Sequence, residues 1–150
     1  MTYHLRHWHV NRPLKTGVSC IFHDYEKYNL IYLMKKIVVY SPDSNICLSL
    51  FMYLQSDYNV TTTTDVSILK TMVKHIKFDL LIMDAQPSKS VEAFCKGMKE
   101  HNPEIPVILT YVYQDNNKLF DLNIRKYISS VFYKPFDLYE VSKYLTSLLV

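Results

Sequence analysis

Two short motifs carry charged residues that could take part in chemistry. FDLLIMD (78–84) ends in Asp84, and YKPF (133–136) carries Lys134 directly before a proline. An aspartate is ionised at neutral pH and can act as a nucleophile or metal ligand, whereas a lysine is a compact cation that suits an anionic oxygen. Because the residue before a proline favours extended geometry, we expect Lys134 to stay at the end of its strand.

Polar side chains also follow two other apolar runs. The tripeptide Ser41-Pro42-Asp43 comes after IVVY, and Thr110 and Tyr111 lie near the end of IPVILTYVY. Adjacent residues of a strand face opposite sides of a sheet, so only one of Thr110 and Tyr111 can point into a site at this position. The sequence leaves open which of the two does so.

The positions of these residues depend on an alternation of strand and helix that begins at Lys35. Apolar runs typical of strands occupy residues 37–40, 58–64, 79–84, 105–113 and 130–133. Each is followed by apolar residues at helical spacing. The helix after the fourth strand is weaker; Asp115 can cap it, and it contains Leu119, Phe120 and Ile124. This alternation predicts an α/β fold with a doubly wound, five-stranded parallel sheet, flavodoxin-like (βα)5, in strand order 2-1-3-4-5.

In such a sheet the working site lies beyond the carboxyl ends of the strands, beside strand 1. Asp84, Lys134, Ser41-Pro42-Asp43 and one of the pair at 110 and 111 all lie at that edge. We therefore expect these residues to form one site.

The first 33 residues differ from the rest because they have no sustained strand or helix period. We expect a flexible N-terminal extension over 1–33 and a domain over 34–150; alternatively, Met34, which opens MKKIVVY, is the natural start. His4, His7 and His9 have no cysteine or carboxylate partner at zinc spacing, so an extension is favoured over a metal site.

Composition argues against several classes of function. The net charge is +3 and the lysines are scattered, which speaks against a nucleic-acid surface. No apolar run reaches the roughly 18 residues that span a membrane, and the start lacks the order of a signal peptide, so we expect a cytoplasmic protein.

The three cysteines show no CxxC spacing, and Cys47 and Cys95 fall on apolar helix faces as small hydrophobes. A flavin or nucleotide enzyme would need a glycine-rich turn after strand 1, and the domain contains only Gly97.

FDLLIMD ending in Asp84, together with YKPF containing Lys134, resembles the third- and fifth-strand motifs of bacterial response-regulator receiver domains of the chemotaxis-type single-domain kind. The resemblance covers residues 35–150. It implies that Asp84 is the phosphoacceptor, that Lys134 contacts the phosphoryl group, and that Thr110 or Tyr111 hydrogen-bonds a phosphoryl oxygen. Positioning and charge neutralisation are what phosphoryl transfer requires.

The same resemblance implies a stand-alone phosphoprotein of a two-component phosphorelay rather than an enzyme. Its partners would be a sensor histidine kinase or a phosphotransfer protein and a downstream protein that reads the face built from the fourth helix, fifth strand and fifth helix. Tyr139 and Tyr144 on the last helix are candidates for that face.

The sequence departs from the receiver pattern where Mg²⁺ belongs. Receiver domains carry an acidic pair after strand 1, and here Ser41-Pro42 takes its place. Asp84 and, after a one-residue slip of the turn, Asp43 are the remaining carboxylates, a poor set for an ion that prefers near-octahedral oxygen ligands. The alternative role of Asp43 as a helix cap is favoured.

Two functions therefore stay open. The first is a receiver that accepts a phosphoryl group on Asp84 and signals through protein contacts. The second is a degenerate, phosphorylation-independent receiver that acts as a binding or dimerisation module, for instance as a homodimer; the loss of the acidic pair supports it.

Overall fold

The computed structural model describes residues 33–149, apart from the side chain of Asn117. Expectations for residues 1–32, including those for the three histidines and for Cys20, lie outside the described residues. Residues 34–150 form one unit by their contacts, and an N-terminal extension ahead of a natural start at Met34 stays a prediction.

Strands and helices alternate along the described chain. The strands are β1 (Lys36–Tyr40), β2 (Asn59–Thr63), β3 (Leu80–Asp84), β4 (Val107–Tyr111) and β5 (Ser130–Tyr133). The helices are α1 (Ser44–Leu54), α2 (Val66–His75), α3 (Lys89–His101), α4 (Lys118–Ile124) and α5 (Leu138–Leu148). A short 3₁₀ turn, Asp115–Asn117, leads into α4.

All five strands are parallel, and the sheet order is β2-β1-β3-β4-β5. The predicted flavodoxin-like fold and strand order are therefore confirmed. The central strands β3 and β4 are buried at every residue, as expected for strands that are covered on both faces.

Side chains that alternate along each strand divide the core into two layers. Ile37, Val39, Leu80 and Ile82 pack with residues of α1 and α5 on one face of the sheet. Residues of the opposite parity pack with α2, α3 and α4 on the other face, and they include Val38, Leu81, Met83, Leu109 and Tyr111. This period of two follows from strand geometry, and it fixes which residues near the carboxyl edge share a face.

Side chains at the helix starts accept hydrogen bonds from free backbone N–H groups. Asp43, Asp65, Ser88 and Asp137 cap α1, α2, α3 and α5, respectively. The helix predicted after β4 is present as α4, but Asp115 begins the 3₁₀ turn instead of capping the helix. Of the apolar residues named for this helix, Ile124 is buried, whereas Leu119 is 69 % exposed.

Both described cysteines are free and buried, as expected for small hydrophobes. Burial raises the pKa of the Cys95 thiol to about 12 and also raises that of Cys47, so neither thiol is activated as a thiolate. Within residues 33–149 no helix has the length and apolar character needed to cross a membrane.

The packing of β3 makes a stability prediction. Leu81→Ala removes a fully buried side chain from a central strand and should lower the free energy of unfolding by about 2–5 kcal/mol. Leu119→Ala, on the exposed face of α4, should change it by less than about 0.5 kcal/mol. Urea denaturation of both variants checks this contrast, and similar losses for the two would contradict the described core.

Candidate functional site

Four chain segments meet at the carboxyl edge of the sheet and bring the predicted site residues together. Asp84 is the last residue of β3 and lies opposite Thr110 of β4 in the strand register. Ser41 follows β1 directly, and Lys134 follows β5. The topology therefore gathers side chains that are separated by up to 93 positions in the sequence around one carboxylate.

The Asp84 carboxylate contacts three side chains at the ends of three other strands. Ser41 Oγ donates to Oδ2 at 2.6 Å, and Thr110 Oγ1 donates to Oδ1 at 3.2 Å. Lys134 Nζ lies 2.6 Å from Oδ1. Asp84 is 4 % exposed, and Ser41 and Thr110 are fully buried. We call these four residues the Asp84 centre; within it, both carboxylate oxygens are engaged by protein donors.

Ser41 holds its position through a second hydrogen bond. Its hydroxyl oxygen accepts from the backbone N–H of Asp43 at 3.0 Å while its proton is directed at Asp84. The donor and the acceptor of this hydroxyl are thus both used. A serine after β1 supplies a hydrogen bond where an acidic residue would supply a negative charge.

The Asp43 side chain is engaged at the start of α1. Its Oδ1 accepts the backbone N–H of Asn45 at 2.8 Å, and its backbone is extended, as in other N-caps. Among the residues the structure describes, no cluster of three or more histidine, cysteine, aspartate or glutamate side chains could hold a metal ion. The donor set around Asp84 is a hydroxyl pair and an ammonium, so it does not fit Mg²⁺, which prefers several oxygen ligands including carboxylates.

Thr110 and Tyr111 point to opposite sides of β4. Thr110 reaches Asp84, whereas the Tyr111 hydroxyl donates to the carboxylate of Asp121 on α4. Tyr133 Oη also donates to Asp121 Oδ1, at 2.9 Å, and Arg125 Nε donates to Oδ2 at 2.9 Å. Arg125 Nη2 donates in turn to Tyr133 Oη at 2.6 Å.

These four side chains, Tyr111, Asp121, Arg125 and Tyr133, form a network that we call the Asp121 cluster. The two tyrosine rings meet edge to face at 5.4 Å between centroids. The cluster ties α4 to β4 and β5 on the face opposite the Asp84 centre. The sequence analysis missed it; the only signal was an aspartate and an arginine four residues apart in a weak helix.

The electrostatics of the cluster favour an ionised Asp121. Burial opposes ionisation, but hydrogen bonds from Arg125, Tyr111 and Tyr133 outweigh it and hold the pKa of Asp121 below its ordinary value of 3.8. The hydrogen bond to Asp121 raises the pKa of Arg125, and burial with the same carboxylate nearby raises that of the Tyr111 phenol. The cluster is therefore a charged network that is stable at neutral pH.

The hydrogen bond from Ser41 to Asp84 gives the next prediction. Ser41→Ala leaves one oxygen of a buried carboxylate without its donor and should lower the free energy of unfolding by about 1–3 kcal/mol. Ser56→Ala is a matched control, because Ser56 donates to Asp57 in an exposed position and should cost less than about 0.5 kcal/mol. Chemical denaturation compares them, and equal effects would show that burial adds nothing to the Asp84 contact.

The lowered pKa of Asp121 gives a pH prediction. A carboxylate with a folded pKa below its unfolded pKa adds stability above the unfolded pKa, and that stability disappears as the pH falls through the folded pKa. The wild type should therefore be more stable than Asp121→Asn at pH values well above 3.8, and the difference should shrink as the pH falls below that value. Urea midpoints over an acid pH series test this, with the exposed Glu104→Gln as control. A difference that does not change with pH would contradict the assignment.

Comparison with known proteins bears on the fold. No protein-family model matches the chain, and no curated protein matches it. A response regulator from Thermotoga maritima superimposes with a TM-score of 0.68 at 18% identity, over 78% of this chain and 98% of that one. The signal receiver domain of a two-component response regulator from Bacteroides fragilis gives 0.66 at 18% identity, over 78% and 98% of the two chains.

A protein of another description has the same fold. A pilus assembly-related protein from Burkholderia pseudomallei superimposes with a TM-score of 0.64 at 20% identity, over 77% of this chain and 89% of that one. At these identities the likeness concerns the fold. The described part of the chain resembles, and has the fold of, a response-regulator receiver domain.

Proposed function

We propose that this chain is a receiver-type signalling module that works through protein–protein contacts, and that Asp84 is a structural anchor rather than a Mg²⁺-dependent phosphoacceptor. The observation that carries the proposal is the Asp84 carboxylate itself, whose two oxygens are engaged by Ser41, Thr110 and Lys134. In this role the chain is a degenerate receiver, a cytoplasmic binding or dimerisation module without an activity of its own.

The charge balance of the site supports this role. The ammonium of Lys134 lies 2.6 Å from Asp84 and already supplies the positive charge that a divalent cation would bring. Mg²⁺ in proteins is bound through one or two carboxylates, with waters and phosphate oxygens completing the octahedron, and Oδ1 of Asp43, the second candidate carboxylate, caps α1. Ligation through this oxygen would remove the cap, at a cost of about 1 kcal/mol.

The hydrogen bond from Ser41 also lowers the reactivity of Asp84. For Asp84 to attack a phosphorus centre, one carboxylate oxygen must present a lone pair to it. Oδ2 is the oxygen without the ammonium contact, and it accepts a 2.6 Å hydrogen bond from a fully buried serine. Attack through Oδ2 would have to use the lone pair that Ser41 leaves free, on an oxygen whose nucleophilicity the hydrogen bond lowers.

The surface built from α4, β5 and α5 is suited to protein contacts. It exposes apolar side chains on all three elements: Leu119 and Leu122 on α4, Tyr133 on β5 and Tyr139 on α5. Exposed apolar side chains such as these offer contact area to a partner protein. Tyr144, the other tyrosine predicted for this face, instead donates to the Ser129 carbonyl oxygen and packs against Phe132.

A second function, the phosphoaccepting receiver of a phosphorelay, is favoured by one specific observation. Both Lys134 and Thr110 contact the same oxygen of Asp84, where a phosphoryl group would need a cation and a hydroxyl donor. In that case a sensor histidine kinase or phosphotransfer protein would supply the phosphoryl group. The two functions differ in whether Asp84 reacts.

The proposal predicts that the wild-type protein stays unmodified when it is incubated with acetyl phosphate and Mg²⁺. Intact-mass spectrometry measures the gain of one phosphoryl group. The double variant Ser41→Asp/Pro42→Asp restores two carboxylates after β1 and should gain reactivity, because it supplies the missing oxygen ligands.

Matched variants show whether any phosphoryl transfer occurs at Asp84. Adding Asp84→Asn to the double variant should abolish its gain in mass, which shows that the assay detects transfer to this carboxylate. A wild-type gain that disappears in Asp84→Asn would refute the anchor role and support the phosphoaccepting function.

A further inference from the structure

A groove runs between α2 and α3, on the face of the sheet that carries the Asp121 cluster. Its volume is about 770 Å³. Apolar side chains from both helices form its floor, and these belong to or pack against the core layer beneath them: Val73, Phe94 and Met98. An apolar groove between two helices can receive an amphipathic helix laid along it.

Gly97, in the middle of α3, opens the groove. Glycine is the least favourable residue after proline in a helix interior, and here its φ is not positive, so the backbone does not require it. A Cβ atom added at this position would meet nothing within 4 Å, so packing inside the domain does not require it either. A glycine at this position leaves the helix backbone open to close approach from outside the domain. Ala93, exposed one turn earlier, extends the same low surface.

The rim of the groove is positively charged. Lys70 and Lys74 stand one turn apart on α2, a like-charge spacing that disfavours an isolated helix. Among residues 33–149 neither lysine forms an ion pair with a carboxylate. The charge of this rim is thus uncompensated within the described domain.

We propose that the groove binds an amphipathic helix of an acidic partner protein. The apolar stripe of that helix would cover Val73, Phe94 and Met98, and its carboxylates would pair with Lys70 and Lys74. A second copy of this chain fits less well, because the chain carries a net charge of +3 and paired grooves would bring lysines together. The groove is separate from the Asp84 centre, so its test does not depend on the proposed function.

The test uses a designed probe and the full chain. The probe is a fluorescein-labelled helical peptide with leucines on one face and glutamates beside them, about 20 Å long to match the 13 residues of α3. A control peptide has lysine in place of each glutamate. Fluorescence anisotropy should show saturable binding of the acidic peptide and affinity for the basic peptide that is weaker by about tenfold or more.

Two variants locate the binding. Gly97→Leu fills the groove. Because the added atoms start in open space, this variant should fold with an unchanged or higher Tm. Its affinity for the acidic peptide should fall about tenfold or more. Lys70→Glu/Lys74→Glu should lose its affinity for the acidic peptide and gain affinity for the basic peptide. The control is Lys118→Glu/Lys143→Glu, which has the same net charge as the groove variant but changes exposed lysines away from the groove. This control should keep the preference for the acidic peptide.

Several results would overturn the proposal. They are a lack of saturable binding by the acidic peptide, equal binding of both peptides, or an affinity that Gly97→Leu leaves unchanged in a folded protein. Sedimentation velocity tests a further result that would overturn it. If the wild type is a dimer and Gly97→Leu is a monomer, the groove binds a second copy of the chain.

Discussion

The carboxylate of Asp84 is a negative charge at the buried edge of a sheet, and it must be compensated there. An unpaired buried carboxylate is costly in free energy, and its cost falls only when donors and a cation surround it. Ser41, Thr110 and Lys134 meet this requirement from the ends of β1, β4 and β5. Because each donor belongs to a different strand, one side chain links the carboxyl ends of four adjacent strands.

The Asp121 cluster imposes a second constraint on the other face of β4. Thr110 and Tyr111 are neighbours in this strand, and each donates to a different buried aspartate. The adjoining residues of β4 thus connect the Asp84 centre to the network that holds α4. Both aspartates have their charge matched by a cation of the same domain, Lys134 for one and Arg125 for the other.

Most of the fold could be predicted from the sequence because it depends on local patterns. The alternation of strands and helices predicted a parallel, flavodoxin-like sheet, whose carboxyl edge holds both Asp84 and Lys134. The choice between Thr110 and Tyr111 needed the register of β4 against β3, which a one-residue shift would reverse. The Asp121 cluster was missed because α4 is short and its polar contacts come from the two strands that flank it, whose side-chain directions the sequence does not show. Ser41 was read as a lost acid, since a sequence does not report where a hydroxyl points.

The central claim is that the Asp84 centre is complete without a metal ion, and a Mg²⁺ titration followed by NMR tests it most directly. Backbone amide shifts of Ser41, Asp84, Thr110 and Lys134 would be recorded in the wild type and in Ser41→Asp/Pro42→Asp. We expect no saturable shift at these residues of the wild type up to tens of millimolar Mg²⁺, and a saturable shift in the double variant, which regains carboxylate ligands. Saturation of the wild type at low millimolar Mg²⁺ would contradict the account.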